Sequence, residues 1–355
     1  MIPAADRALP RTIAVLSNPS ADWDEFVTAH PDASVYLLSG WALLAREVFG
    51  HPVFFIEARD AAGTLVGVLP MVQQKSLLLG NFATSLPFFN YGGALCAGDD
   101  IAAEMMQRGR ALGQELGCSY VEFRDAQPRP GDWIRRTDKV SMVLQLPDTF
   151  AKLSQQLGSK LRSQAKRADR EEPAVRIGGV ELVDDFYAVF ASTMRDLGTP
   201  VYPRKFFPAL LRRFPEYCRI IVVDCRGKPA AAGFVVTYNG HAEIPWAACL
   251  GEAKPLGFNM KLYWEVLTFV VGQGCSSFDF GRSTIDAGTY KFKKQWGAEP
   301  VQLHWHRWEK HAKHDGAHAS SGGGKVTDLL SQVWRRMPVQ IANRLGPLIS
   351  PGLPW

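Results

Sequence analysis

The sequence lacks the features that mark several large classes of protein. No two of its six cysteines form a C-x-x-C pair, and no uninterrupted apolar run approaches the roughly 20 residues that a transmembrane helix needs. It has no G-x-G-x-x-G after a strand, no P-loop, no H-E-x-x-H and no G-x-S-x-G. These absences argue against a dinucleotide-binding enzyme, a P-loop NTPase, a zinc protease and a serine hydrolase.

A strong net charge is also absent, because 40 lysines and arginines against 35 acids give a formal charge of only +5. The protein as a whole is therefore not expected to bind nucleic acid, and any polyanion site must be a local patch. One such patch lies in residues 150–171, which we predict to form a helix with leucines along one arc. Its candidate phosphate contacts, for a ligand such as tRNA, are Lys160, Arg162 and Arg167. The alternative is a solvated helix that links two halves.

Residues 1–20 have no apolar core after a basic start, so we expect a flexible leader rather than a signal peptide. The six cysteines are scattered, four of them among apolar neighbours, which favours free buried thiols in a reducing compartment. These features predict a cytoplasmic protein. Five histidines fall within residues 304–318 without acids or cysteines at metal-ligand spacing, so we expect no metal site.

The chain is organised around residues 274–297, GCSSFDFGRSTIDAGTYKFKKQWG. Strand alternation over residues 277–280 places Asp279 on the face opposite its two phenylalanine neighbours. Gly281 ends the strand. Arg282 then stands at the carboxyl end of the strand, where α/β proteins tend to bind ligands.

A short helix follows this strand. At about 100° per residue, Phe292 and Trp296 share one face of the helix. We expect Tyr290, Lys293 and Lys294 roughly opposite, where they face outward. Two ammonium groups and a phenol would there form a site for an anionic substrate or a developing oxyanion.

The same short pattern occurs twice in the chain. Residues 117–123, GCSYVEF, match residues 274–280, GCSSFDF, at four positions and in the acid before the last phenylalanine. Each follows a predicted helix, over residues 101–116 and 259–273, and each has a predicted hairpin upstream. The shared order of elements indicates one α/β unit used twice.

The run FDFGRST followed by GTYKFKKQWG resembles the C-terminal signature of the FemAB-like proteins, relatives of the peptidoglycan-bridge aminoacyltransferases. The likeness is greatest to the FemAB-related proteins of exosortase (PEP-CTERM) exopolysaccharide systems, and it covers most of residues 30–305. It implies an α+β fold with mixed α/β sheets. Two tandem GNAT-like halves, of the acyl-CoA N-acyltransferase type, would face a shared cleft, with a C-terminal amphipathic helix after them.

The resemblance also implies site residues. In the Fem family a Phe-Lys pair in the helix after the last acidic strand lies near the substrate channel, and the matching pair here is Phe292-Lys293. We therefore expect Lys293 to stabilise the donor or the oxyanion. Asp279 is either a general base or a partner of Arg282 that fixes the loop. The candidate substrate contacts are Arg282, Tyr290, Lys291, Lys294, Trp246, Asn90 and Tyr91.

Some of these residues also have a purely structural explanation. Trp246 suits core packing as well as a cleft, and the lysines suit a solvated helix face.

The resemblance implies an acyltransferase or aminoacyltransferase that acts on an amine of a cell-envelope, exopolysaccharide or peptidoglycan-type precursor. The acceptor would be a small molecule or a lipid-linked glycan. The donor stays open among acyl-CoA, an acyl-carrier protein and an aminoacyl-tRNA, and no tightly bound cofactor is expected. In a GNAT fold, residues 251–259 and the following helix would meet the pyrophosphate of coenzyme A. The acyl-CoA signature, Gln or Arg before Gly-x-Gly/Ala, is absent there.

The alternative function is a non-catalytic scaffold that binds a polyanionic glycan or a membrane-associated synthesis complex. The C-terminal tail bears on this choice, since its apolar residues recur at helical spacing until Pro338 breaks the pattern. The tail either packs on the protein body or makes a peripheral contact with the inner membrane. The expected segments are a leader (1–20), an N-terminal GNAT-like domain (21–150), a basic linking helix (151–177), a C-terminal GNAT-like domain (178–310), a flexible linker (311–324) and an amphipathic tail (325–355).

Overall fold

The chain folds into two compact units, each with its own sheet. A computed structural model describes residues 11–76, 79–311 and 325–353. The first unit consists of Met1–Thr137, Leu303–His314 and Gly352–Trp355. The second consists of Asp138–Gln302 and Asp315–Pro351.

The first unit contains an eight-stranded sheet. Its elements are β1 (Thr12–Leu16), α1 (Trp23–Ala29), α2 (Ser39–Phe49), β2 (Val53–Arg59), β3 (Leu65–Ser76), β4 (Gly80–Thr84), β5 (Leu95–Cys96), α3 (Asp99–Glu115), β6 (Tyr120–Asp125) and β7 (Ile134–Arg136). In the sequence, most of the second unit is inserted between β7 and the last strand of this sheet. Its own elements are β8 (Lys139–Gln145), α4 (Phe150–Gln156), α5 (Gly158–Lys166), β9 (Ala174–Gly178), α6 (Val183–Leu197), α7 (Phe206–Arg213), β10 (Cys218–Cys225), β11 (Lys228–Tyr238), β12 (His241–Cys249), α8 (Phe258–Gly272), β13 (Ser277–Thr284), α9 (Gly288–Lys294) and β14 (Glu299–Gln302). The chain then adds β15 (His304–Glu309) to the first unit, and α10 (Lys325–Arg335) and α11 (Val339–Ile349) to the second.

The two sheets have the same topology around one parallel pair of strands. The first sheet has the order β1-β2-β3-β4-β6-β15-β7, with β5 paired to β3. The second has the order β14-β8-β13-β12-β11-β10-β9. Only β4 with β6 and β12 with β13 run parallel among the described strand pairs, and a helix precedes the second strand of each parallel pair. This arrangement confirms the prediction of a mixed α/β fold built from one unit used twice.

The repeated Gly-Cys-Ser sequence has the same backbone geometry in both units. Gly117 and Gly274 end their helices in the left-handed region, at φ +70° and +76°, which a residue with a Cβ adopts only with strain. The next amide, of Cys118 or Cys275, returns to a helix carbonyl five residues back, at 2.8 and 3.1 Å. This turn sends each chain directly into the parallel strand, so the sequence match reflects a shared structural role.

The predicted domain boundary at residue 150 is wrong. The chain leaves the first unit at Thr137, because β8 pairs with β13 and β14 in the second sheet. In return, β15 pairs with β6 and β7 in the first sheet, so the second unit does not extend to residue 310. Each unit thus contains one strand, β8 or β15, that lies on the other side of the boundary predicted for it. Local sequence patterns do not reveal this exchange. That the two halves face a shared cleft stays a prediction.

The basic segment is also not a single linking helix. Gly158 adopts φ +76° and separates α4 from α5, and a 3-10 turn over Arg167–Glu171 follows. These helices pack on α8 and belong to the second unit. Leu153, Leu161 and Ala168 enter the core of that unit, as the leucine arc predicted.

The ends of the chain differ in part from expectation. Thr12–Leu16 pairs along its whole length with β2, so these residues are an edge strand and not a leader. The tail forms two helices, α10 and α11, that meet at the predicted break, Pro338. The expected flexible linker, residues 311–324, lies outside the described residues apart from residue 311, as do residues 1–10 of the expected leader. All six cysteines are free thiols, as predicted. Within the described part of the chain, every helix is too short or too polar to cross a bilayer.

Candidate functional site

The candidate site lies where two neighbouring parallel strands of the second sheet separate. Strands β12 and β13 pair only over His241–Glu243 and Ser277–Asp279, although both strands continue further. Gly281, at φ +78°, carries β13 away from β12 at this point. Separation of two strands opens a gap between them, and polar side chains collect at its edge.

Lys293 reaches this gap from α9. Its side chain is only 7% exposed, and Nζ donates to the carbonyl oxygens of Gly281 at 2.8 Å and Arg282 at 3.0 Å. An ammonium group has three N–H donors, so one remains for another acceptor. Burial lowers the pKa of Lys293 from 10.5 to about 8, against the opposing effect of the carboxylates of Asp279 and Glu243. The group is thus mostly charged at neutral pH and titrates close to it.

The predicted outward direction of Lys293 and Tyr290 is wrong. Both side chains are buried, together with Trp296, while Lys291 and Lys294 are exposed. On a helix, position 293 is only about 60° from position 296. A buried face slightly wider than the one set by Phe292 and Trp296 therefore includes Lys293. The ammonium is buried at backbone carbonyls instead of lying in solvent.

Asp279 is held by two donors. Ser141 Oγ lies 2.6 Å from both carboxylate oxygens, and the amide of Gly281 donates to Oδ1 at 2.7 Å. Both contacts suit a charged acceptor and fix the turn at which β13 leaves β12. Asp279 therefore fixes this turn through Ser141 and Gly281, while its pairing with Arg282 and its role as a general base stay predictions. Arg282, half-buried, stands opposite Ser141 in the register of β13 and β8.

Sequence reasoning missed Glu243 and Ser141. Glu243 is the register partner of Asp279 on the parallel strand, so their side chains leave the same face of the sheet. Both carboxylates are nearly buried, and both act on the pKa of Lys293. Two residue pairs earlier, His241 Nδ1 lies 2.6 Å from Ser277 Oγ. The available signal was a single acid in the otherwise apolar strand sequence Ala-Glu-Ile, whereas nothing local marks Ser141.

The remaining candidate substrate contacts lie in three different environments: on the surface, in the hydrophobic core and in the first unit. Lys294 is exposed, with Nζ 5.9 Å from the ring centroid of Tyr290, and lines an open pocket of about 310 Å³. Trp246 is a core residue, since it makes edge contacts with the rings of Phe206, Phe207 and Phe234. Core packing was one of its two predicted roles.

Asn90 and Tyr91 belong to the first unit, whereas Lys293 belongs to the second. The carbonyl of Asn90 accepts from Trp305 Nε1 at 3.2 Å. Tyr91 lines a pocket of about 110 Å³, which Arg124, Asp125 and Arg129 also line.

The three candidate phosphate contacts are not equivalent. Arg162 donates to the carbonyl of Ser154 at 2.6 Å and so binds the C-terminal end of α4. Lys160 and Arg167 are exposed on the surface, as a phosphate contact requires.

The central part of the loop before α8 uses its amides within the loop. Every amide from 253 to 258 donates to a carbonyl within the loop, apart from Pro255, which has none. Gly257 begins α8 at φ +92°, and a Cβ built there would lie 3.1 Å from Cβ of Arg167. These five amides are therefore used internally, and a pyrophosphate contact of the rest of residues 251–259 stays a prediction. Among the described residues, no group of three or more His, Cys, Asp or Glu side chains is placed to hold a metal ion.

Comparison with known proteins supports this description of the fold. Residues 156–294, within the second unit, match the family model for an acetyltransferase (GNAT) domain. A search of curated proteins finds no significant relative. The second unit, with its separating parallel strands, is thus of the GNAT type.

Several solved structures share the fold at low sequence identity. The crystal structure of FemX matches with a TM-score of 0.59 at 11% identity, over 82% of this chain and 96% of that one. A tandem GNAT protein from the clavulanic acid biosynthesis pathway matches with a TM-score of 0.51 at 10% identity, over 86% of this chain and 100% of that one. L-PGS from Bacillus licheniformis matches with a TM-score of 0.51 at 12% identity, over 84% of this chain and 93% of that one. At these identities the likeness establishes the fold, two GNAT-like sheets in one chain.

Proposed function

We propose that the protein transfers an acyl or aminoacyl group to an amine of a cell-envelope or exopolysaccharide precursor. The observation that carries this proposal is the buried ammonium of Lys293 at the gap between β12 and β13. The match of residues 156–294 to an acetyltransferase domain and the fold shared with FemX agree with it. The precursor would be a small or lipid-linked glycan, as the FemAB-like signature implies.

Acyl transfer needs a donor aimed at the oxyanion and a base for the proton of the acceptor. The amine attacks the carbonyl carbon of the donor, and the carbonyl oxygen takes up the electron pair. The third N–H of Lys293 stabilises that oxygen. Asp279, beside Glu243, receives the proton from the amine, and collapse of the tetrahedral intermediate expels the leaving group with its electron pair.

The loop before α8 favours a donor other than a coenzyme A thioester. Its amides between 253 and 258 are already bonded within the loop, and Gly257 packs against Arg167. An aminoacyl-tRNA or an acyl-carrier protein needs no pyrophosphate site at that helix end. Arg167, exposed beside this loop, and Lys160, exposed on α5, would contact a phosphodiester backbone or an acidic carrier.

The test compares Lys293→Met with Lys294→Met. Methionine keeps the length of the side chain and removes its charge, and Lys294 is the exposed neighbour on the same helix. Transfer from acyl-CoA, acyl-carrier protein and aminoacyl-tRNA to amino-sugar acceptors is measured for each variant. We expect Lys293→Met to lower kcat by about 10²–10³, as for loss of an oxyanion donor. Lys294→Met should stay close to the wild type.

Two results would reject the proposal. One is equal turnover by Lys293→Met and the wild type. The other is absence of transfer by folded wild-type protein from all three classes of donor.

The second candidate function is a GNAT-like scaffold that binds a polyanionic glycan. The internally bonded loop before α8 favours it, since a protein without a donor needs no donor site. In that case Lys160→Gln and Arg167→Gln would weaken glycan binding in a salt-dependent way. Lys293→Met would leave glycan binding unchanged.

A further inference from the structure

The C-terminal helices α10 and α11, called the tail helices below, are attached to the second unit along one side. Trp334, Ala342 and Gly346 are buried against it. A Cβ added to Gly346 would lie 2.8 Å from the amide nitrogen of Val201, so the backbone of α11 approaches the unit closely. Arg195 also donates to the carbonyl of Met337 at 2.9 Å, between the two helices.

The tail helices leave a large apolar surface uncovered. Half of the fourteen exposed large apolar side chains among the described residues lie in these two helices, although the helices are a small part of the chain. These seven are Leu329, Leu330, Val333, Ile341, Leu345, Leu348 and Ile349. Leu348 is 79% exposed and Leu329 is 60% exposed. Clusters of this kind mark an interaction site on a folded protein.

The exposed apolar side chains form one arc on each helix. Positions 329 and 333 are one turn apart on α10, and positions 341, 345 and 348 follow each other along α11. An arginine borders each arc, Arg336 immediately after the end of α10 and Arg344 on α11. Both arginines are exposed, and neither forms an ion pair within the described residues. Each helix therefore combines an open aliphatic face with a free guanidinium at its edge.

The charge of the segment identifies its partner. Residues 325–355 contain four cations, Lys325, Arg335, Arg336 and Arg344, against one acid, Asp328. A symmetric pair of this chain would place that net charge of +3 against itself, which opposes self-association. A lipid bilayer with anionic headgroups complements both parts of the surface, since aliphatic side chains enter the acyl boundary while arginines reach the phosphates.

We propose that the tail helices bind the protein to the surface of an anionic lipid bilayer, with their apolar arcs lying in the plane of the membrane. Burial of Trp334 and Ala342 against the second unit fixes the helices before binding, so little folding accompanies it. The inference rests on the tail helices alone. It does not depend on the transfer reaction or on its donor.

The experiment is flotation of the full-length protein with two kinds of vesicle. One kind is pure phosphatidylcholine, and the other contains phosphatidylglycerol as a quarter of its lipid. We expect the wild type to float with the anionic vesicles, and to bind them more weakly as NaCl rises from about 0.1 to about 0.5 M. Leu329→Asp with Leu348→Asp should lower the partition coefficient by about tenfold or more, because two acids replace two aliphatic groups that would enter the acyl boundary of the bilayer.

Matched variants separate this effect from a general one. Val180→Asp makes the same change at an exposed site elsewhere in the second unit and should bind like the wild type. Arg336→Gln with Arg344→Gln should weaken binding to anionic vesicles and reduce its salt dependence, whereas Arg212→Gln on α7 should change neither. Thermal unfolding checks that each variant is folded.

Three outcomes would overturn the proposal. The wild type stays unbound with anionic vesicles, or Leu329→Asp with Leu348→Asp floats as well as the wild type. The third is a concentration-dependent dimer that the same aspartates dissolve, because the arcs would then bind a second copy. If the aspartates prevent folding, Leu329→Ser with Leu348→Ser gives the same comparison without added charge.

Discussion

The buried ammonium of Lys293 predicts a pH dependence of stability that a single substitution removes. The pKa of Lys293 lies at about 8 in the folded protein, against an ordinary value of 10.5. Between these two values the unfolded chain binds more protons than the folded protein. By linkage, the free energy of unfolding therefore rises with pH across this interval.

The magnitude follows from the same two values. Below about pH 8 the lysine is charged in both states, and the folded state carries the full cost of burying the charge. Above 10.5 the lysine is neutral in both states and the cost is gone. At about 1.36 kcal/mol for each pH unit, the interval corresponds to about 3 kcal/mol. Lys293→Met has no such proton, so the wild type should gain about 3 kcal/mol relative to the variant between about pH 7.5 and 10.5.

Urea unfolding followed by circular dichroism at several pH values measures this difference. Other groups titrate in the same range, among them Tyr263, whose pKa is raised by burial, but they are common to both proteins and cancel. Lys294→Met is the control, since its exposed ammonium should give a constant difference. A constant difference for Lys293→Met as well would refute the reasoning, because it would place the ammonium in water.

Three further predictions concern positions whose role is structural. Glu122→Gln should lower the free energy of unfolding by about 3–5 kcal/mol in chemical denaturation, because it leaves buried guanidiniums without their carboxylate. The charges of three arginines outweigh burial and lower the pKa of Glu122 from 4.5 to about 2, so wild-type stability should fall as pH decreases through this range, and the variant should lack that part of the fall. Trp246→Ala should cost about 3–5 kcal/mol by urea unfolding through the cavity it leaves, while KM for the acceptor stays unchanged. Gly257→Ala should lower stability in the same assay by about 1–3 kcal/mol, because φ +92° is strained for alanine and its Cβ meets Arg167.

Features encoded by local patterns were predicted well from the sequence. The helix over residues 183–197 shows such a pattern, since acids occupy its first turn and Gly198 ends it in the left-handed region. The hairpin predicted upstream of each repeated motif is present, as β2 with β3 and as β10 with β11. The repeated Gly-Cys-Ser turn indicated the duplication, because only glycine meets its backbone angle without strain.

Features that depend on distant pairing were not predictable in this way. The sheet that β8 or β15 joins is decided by pairing with strands that are distant in the sequence. A short alternation of polar and apolar residues is compatible with either sheet, so it does not predict this pairing. The direction of Lys293 depends on the carbonyls of Gly281 and Arg282, which become acceptors only after β13 turns away from β12. Helical periodicity alone assigns a lysine to solvent, as it did here.

The duplication itself indicates which unit should carry the chemistry. Glu122 and Asp279 occupy equivalent positions, each after the Gly-Cys-Ser turn and each paired to the neighbouring parallel strand, by Thr84 and by Glu243. In the first unit, Arg124 lies 3.3 Å from Glu122, Arg136 lies at 2.9 Å and Arg307 lies at 2.6 Å.

Three guanidiniums around one carboxylate leave it charged at every physiological pH and unable to accept a proton. The equivalent position in the second unit has a hydroxyl, a backbone amide and one ammonium whose pKa of about 8 lies near neutrality. Groups that titrate near neutral pH are suited to proton transfer and charge stabilisation, whereas a saturated ion cluster is suited to holding a fold. At this shared position the first unit thus has a structural ion cluster, whereas the second has the groups to which we assign acyl transfer.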